Sequence, residues 1–229
     1  MKILVLNGSP KKDKSDTMHM TRAFVDGMNS ACENEVTVID VIDRHIEFCT
    51  GCFQCKHNGG VCILDDDMTA IIDRFVTSDV VIFNFLLYAY GMPAPLKNLV
   101  DRLMPLSSWK MSRDEDGRYG HSTYRDLSAL RYVMICGCGY PNAKHNFEGA
   151  VKQFLLKFPV NSTVITVPES PMFNIPQAAN FVQPRLKALK EAGDEYADSF
   201  TIDEALYQEI CSPMIPEEIY AAFANGERE

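Results

Sequence analysis

The chain has 229 residues, 46% apolar and 23% charged, with a net charge of −9; this is long enough for a substantial core and ordinary for a soluble globular protein. No apolar run reaches the roughly 18 residues of a membrane span, and the start lacks the layout of a secretory signal, so no membrane partner is expected and the cytoplasm is the expected compartment. The acid excess lies in residues 190–229, eleven acids against two bases, which reads as a solvated helical surface and argues against nucleic acid as a partner.

In chain order, Lys2 to Leu6 is an apolar run that Gly8 and Pro10 end, followed by the helix-starting types Ser15, Asp16 and Thr17. Strand, hydroxyl-rich loop and helix follow from that order. Free N–H groups at such a helix start bind phosphate. The loop is neither G-x-x-x-x-G-K-[ST] nor G-x-G-x-x-G, so it suits a monophosphate better than a pyrophosphate. Further strands are expected near 35–41, 79–84, 130–136 and 162–167, and helices near 17–30, 66–77, 93–104, 146–158 and 176–197. Strands alternating with helices give an α/β fold, an open parallel five-stranded sheet with helices on both faces. Its ligand belongs beyond the carboxyl ends of the strands, where loops 7–16, 84–92 and 137–146 converge.

The stretch 106–128, with Trp109, Met111, Tyr119, His121 and Tyr124, is too long for a simple connection. It reads as a lid, a subunit arm or an ordinary surface excursion. Residues 1–198 are expected to form the main domain, with 199–229 a helical C-terminal appendage punctuated by Pro213 and Pro216 and helical near Asp203 to Ile210 and Glu217 to Phe223.

Eight cysteines in so large and apolar a chain point to reduced thiols or a metal site rather than a disulfide scaffold. Cys49, Cys52, Cys55 and Cys62 form C-x2-C-x2-C-x6-C in a glycine-bearing loop. Four thiolates at this spacing can converge on a [4Fe-4S] cluster; they can also bind zinc tetrahedrally, or Cys52 and Cys55 can form a redox dithiol. A loop empty of metal is the fourth reading. Asp65, Asp66 and Asp67 read as charge at a helix start, Lys97 and Asp101 as a structural i, i+4 pair, and His57 and His145 as solvated loop histidines. No Ser-His-Asp order or H-E-x-x-H motif suggests hydrolysis.

The chain resembles the flavodoxin-like NAD(P)H-dependent FMN reductases, close to their iron-sulfur flavoprotein branch. The resemblance rests on Gly8-Ser9-Pro10, Ser15-Asp16-Thr17, the run Cys49 to Cys55, Asp66-Asp67-Met68, Leu87-Tyr88 and Leu96 to Arg102, and covers roughly the first 170 residues. It implies strand order 2-1-3-4-5 and FMN held by Ser9, Lys11, Ser15, Asp16 and Thr17 at the phosphate. The second loop, Phe85, Leu86, Leu87, Tyr88 and Ala89, would run along the isoalloxazine ring, and Gly137, Cys138, Gly139 and Tyr140 would meet its pyrimidine side. Asp16 stands where the family more often has Asn, which implies that its backbone faces the phosphate or that a nearby lysine offsets its charge. Phe85-Leu86 stands where Thr-Pro is usual, while Tyr90 reads equally as packing or contact.

The activity implied is transfer of hydride from NAD(P)H, a transient donor, through FMN to a small-molecule or protein electron acceptor, with the flavin rather than a side chain carrying the chemistry. Electron-relaying iron-sulfur flavoprotein, with no dedicated small substrate, is the rival reading, and a flavin-binding sensor a third. The aromatic insertion and the apolar pieces of the acidic tail lead to an expected homodimer or higher homo-oligomer.

Overall fold

A computed structural model describes residues 1–115 and 117–226. In chain order it contains β1 (Lys2–Asn7), α1 (Asp16–Ala31), β2 (Glu35–Asp40), α2 (Gln54–His57), α3 (Met68–Val76), β3 (Val80–Leu86), α4 (Ala94–Asp101), β4 (Ser107–Arg113), β5 (Tyr119–Thr123), β6 (Arg131–Gly137), α5 (Glu148–Lys157), β7 (Ser162–Val167), α6 (Ala179–Ser199), α7 (Glu204–Cys211) and α8 (Glu217–Ala224).

Five of the strands form one parallel sheet in the order β2-β1-β3-β6-β7. Counted along the chain within that sheet, this is the 2-1-3-4-5 order expected. The middle strands are apolar on both faces because both are covered. Leu4, Leu6, Phe83, Met134 and Phe154 sit in one buried layer with α3, α4 and α5. Ile3, Val5, Ile82, Ile135 and Leu189 sit in the other, with α1 and α6. At about 25 cal/mol per Å² of apolar surface, these layers supply most of the drive to fold.

Helix α1 and helix α6 approach unusually closely. A Cβ on Gly27 would lie 1.9 Å from the Lys190 carbonyl, and one on Gly193 1.9 Å from the Phe24 carbonyl. The two glycines let the backbones touch.

The long connection 106–128 is a two-stranded antiparallel hairpin, β4 with β5, with an irregularity between Ser107 and Met111. It lies over the cysteine loop. The Lys56 ammonium donates to the Ser107 carbonyl, the Tyr124 hydroxyl donates to the Lys56 carbonyl at 2.8 Å, and Trp109 packs on Phe53 and His57 at 5.5 and 5.6 Å between ring centroids.

Beyond α6 the chain does not leave the body. Ile210 and Tyr220 are buried in the same layer as α1 and α6. Among the described residues, no helix is long and apolar enough to cross a membrane.

Candidate functional site

The switch point lies between β1, whose connection leads to one edge of the sheet, and β3, whose connection leads to the other. A polar ladder fixes the loop there. The Asn7 amide donates to Asp40 at 2.7 Å, the Asn84 amide donates to the Asn7 oxygen at 2.7 Å, and the Thr21 hydroxyl donates to the Asn84 oxygen at 2.9 Å. Asn7 also accepts from the Ser9 N–H at 3.1 Å, and the Gly8 N–H donates to the Asn84 carbonyl at 2.8 Å. Asn7, Asn84 and Thr21 are buried, so each bond answers a desolvation cost. Sequence reasoning missed this ladder. Its only signal was asparagine at or near the end of two apolar strand runs.

Gly8 lies against α4, where a Cβ would come within 2.9 Å of the Leu96 side chain. Ser15 caps α1, its hydroxyl accepting from the Met18 N–H at 3.1 Å and lying 3.3 Å from the Thr17 hydroxyl. The N–H groups of Asp16 and Thr17 find no acceptor among the described residues. Ser9, Ser15 and Thr17 are buried, and Lys11 stands at the exposed rim.

The Asp16 carboxylate is turned aside. It accepts from the Asn174 amide, which also donates to the Lys14 carbonyl at 3.0 Å, and it lies 3.6 Å from the Lys11 ammonium. Both routes by which an aspartate could be tolerated beside an anion are present. Two free N–H groups, three hydroxyls and the positive end of a 16-residue helix fit a phosphate monoester.

The second loop leaves β3 beside the third. Phe85 and Leu86 are still in the strand, and the Phe85 side chain is in the core, so only its backbone can take part in a site. The Leu87 N–H donates to the Gly137 carbonyl at 2.9 Å. Tyr88 and Gly91 exchange N–H bonds of 3.1 and 3.0 Å across a tight turn. Ala89 and Tyr90 in that turn have φ of 48° and 63°; two side-chain-bearing residues held left-handed in succession mark a strained turn. Tyr88 is about half exposed. Tyr90 stacks on Tyr140 of the third loop, 6.0 Å between centroids, with the Tyr140 hydroxyl donating to Tyr90 at 3.2 Å.

The third loop meets the first. A Cβ on Gly137 would fall 2.6 Å from the Ser170 hydroxyl and 3.0 Å from the Thr17 methyl. Burial pushes the Cys138 thiol up to about 11 and the Cys136 thiol well above its usual range. Both remain neutral thiols at physiological pH, unlike a thiolate ligand.

The four motif cysteines line a second place, a small pocket of about 20 Å³ that Arg102, Met104 and Pro105 also line. All eight cysteines are free. Among the described residues, no three His, Cys, Asp or Glu side chains close around one point.

Arg102 forms its inner wall. The guanidinium is buried and donates to both Asp66 oxygens at 2.5 and 3.1 Å, to the Glu47 carbonyl at 2.5 Å and to the Cys62 sulfur at 3.6 Å. Burial pushes Asp66 up, but the Arg102 hydrogen bond and the Glu47 and Met68 N–H groups outweigh it and hold the carboxyl below its usual range. Hydrogen bonds to Gln54 and Thr50 lower the exposed Cys52 thiol, and burial raises Cys55. Lys97 pairs with Asp101 at 2.6 Å as expected, and of the three aspartates before α3 Asp66 accepts from its first N–H, that of Met68, at 3.0 Å. Its bond to Arg102 was not legible, because 36 residues separate the two partners.

A family model described as the flavodoxin-like fold matches residues 1–199. An iron-sulfur flavoprotein of Methanocaldococcus jannaschii is 32% identical over 108 residues, 46% of this chain and 53% of that protein. Another, from Archaeoglobus fulgidus, is 30% identical over 141 residues, 62% of this chain and 57% of that protein. The matched part of the chain thus spans little more than half the length of these relatives. Among solved structures, an FMN-dependent NADH-azoreductase from Bacillus anthracis in complex with FMN superposes with a TM-score of 0.63 at 16% identity, covering 86% of this chain and 99% of that one. An NAD(P)H:quinone oxidoreductase from Methanothermobacter marburgensis gives 0.58 at 17%, covering 85% and 98%. At such identities the likeness is one of fold.

Proposed function

This chain belongs to the flavodoxin-like fold family, and from that premise we propose that it is an FMN-dependent oxidoreductase drawing on NAD(P)H. The observation that carries this reading is the buried start of α1, with two unpartnered N–H groups and the Ser9, Ser15 and Thr17 hydroxyls, at the switch point of the sheet. These groups would hold the phosphate, with Lys11 adding charge from the rim. The backbone of residues 85–89 and 137–140 would flank the ring, with Tyr88 near its face. When bound, FMN supplies a centre that takes up hydride and releases electrons singly or in pairs. The chain's part is to orient that centre and shield one face; no side-chain acid or base is required of it. The acceptor class is a quinone, a nitro or azo compound, another flavin or a protein. The working unit is residues 1–198, with 199–229 attached.

The test is steady-state oxidation of NADH and NADPH with an added quinone. Turnover that depends on FMN is expected. Bound flavin with no turnover under any donor would overturn the enzyme reading in favour of an electron carrier.

One observation favours that second reading: four cysteines around one pocket, with a buried guanidinium on Cys62. Cys49, Cys52, Cys55 and Cys62 would hold a [4Fe-4S] cluster, with Arg102 stabilising thiolate charge. The names of the relatives found in Methanocaldococcus and Archaeoglobus support it. A cluster so placed would pass electrons one at a time.

A further inference from the structure

Glu169 follows β7 at the back of the third loop, and every feature of its surroundings is unusual for a glutamate. It is fully buried and sits at φ 55°, a conformation glycine adopts without cost. Its N–H donates to the Tyr140 carbonyl at 2.9 Å, and the next residue, Ser170, gives its N–H and hydroxyl to the Cys138 carbonyl at 2.9 and 3.0 Å. Oε2 accepts the Met214 N–H, and the Ile215 N–H also faces the carboxyl. Oε1 is buried with no partner among the described residues.

The C-terminal segment is tied to the same loop at two further points. The Asn142 amide donates to Glu217 at 2.8 Å, and Tyr220 of α8 is buried in the layer that α1 and α6 share. The preceding turn is fixed independently, Arg185 of α6 donating to the Ile210 carbonyl and, at 2.8 Å, to the Ser212 carbonyl.

We propose that Glu169 is a positioning residue: its buried carboxyl latches residues 213–224 onto the third loop, making the C-terminal segment a structural part of the cofactor site. The N–H groups on the carboxyl favour its charged form, while burial and an Oε1 with no partner among the described residues oppose it. The groups facing it divide. Arg185 from α6 favours the anion and Glu217 of α8 opposes it, while the nearby Cys138 and Tyr220 side chains are neutral; burial is the largest influence and raises the carboxyl above its ordinary range. Because the latched form binds the proton more tightly than the unlatched form, latching is complete at low pH and weakens as pH rises through the raised value. The effect on cofactor affinity rests on the FMN reading above; the latch itself does not.

The test is hydrogen exchange at the Met214 and Ile215 amides of the full chain, corrected for intrinsic rates, between about pH 5 and 8, with and without FMN. Wild-type protection should fall as pH rises. Glu169→Gln, permanently neutral, should stay protected across the range, and Glu169→Ala should lose about tenfold in protection throughout and weaken FMN by about five- to tenfold. Wild-type exchange and FMN affinity in Glu169→Ala would overturn the proposal, as would a Glu169→Gln profile that tracks the wild type. If exchange follows the expected pattern while no variant binds FMN, the flavin reading falls and the latch stands.

Discussion

At the scale of single residues, α1 begins where its hydroxyls say it should, and this gives the first prediction. Ser15 holds its helix and, on our account, a phosphate oxygen. Ser15→Ala should cost about 1 kcal/mol of stability through the lost cap and about tenfold or more in FMN affinity through a lost bond to a charged group. Thr17→Val should lose affinity while leaving stability nearly unchanged. Denaturation and FMN titration, run side by side, separate the two effects. The Asp66–Arg102 pair gives a second. Asp66 titrates below its unfolded value, so its contribution is present above an unfolded pKa of about 3.9 and lost as pH falls through the folded value. Asp66→Asn should destabilise by about 3–5 kcal/mol at neutral pH, because Arg102 stays buried without its partner, and should flatten the acid limb of urea midpoint against pH. An unchanged acid limb would contradict this. Ser15 was legible because capping is local. Asn7, Asn84, Arg102 and Glu169 were not, since each takes its role from a partner far along the chain.

Among elements, the five strands and the main helices were legible because each carries its own period and punctuation: Val80 to Phe83 as a continuous apolar run, Pro93 before α4, the aspartates before α3. The hairpin was not. Its strands are polar and largely exposed, and its hold on the cysteine loop depends on Lys56 and Tyr124, which carry no sequence signal for it. Lys56→Met removes the ammonium from the Ser107 carbonyl and should speed limited proteolysis within residues 107–123 several-fold, with the sheet intact by circular dichroism; an unchanged cleavage rate would show that the clamp is immaterial. The α1–α6 contact is the opposite case, a tight one. Gly27→Ala would place a methyl within 1.9 Å of a backbone carbonyl, so the helices must separate, at a cost of about 1–3 kcal/mol or more. A thermal midpoint within error of the wild type would contradict that packing.

For the molecule as a whole, the parallel order follows from alternating strands and right-handed crossovers, and that order brings the three loops together. What the sheet does not settle is how copies associate. Phe48, Phe53, Val61, Trp109, Met111 and Tyr119 leave large apolar area exposed on the cysteine loop and hairpin, so self-association through that face is expected; sedimentation should show a dimer or larger species, and Trp109→Ser with Met111→Ser should shift it toward monomer. The acidic tail, by contrast, is tied to the body by Tyr220 and Glu217 rather than being only a solvated surface.

The most direct measurement on the central claim is the visible absorption spectrum of the protein purified without oxygen, with flavin, iron and acid-labile sulfide assayed on the same sample. The account predicts the two-banded spectrum of a flavin and stoichiometric release of FMN, with a broad brown absorption and matching iron and sulfide if the cysteine pocket holds its cluster. A folded, colourless protein that takes up no added FMN would contradict it.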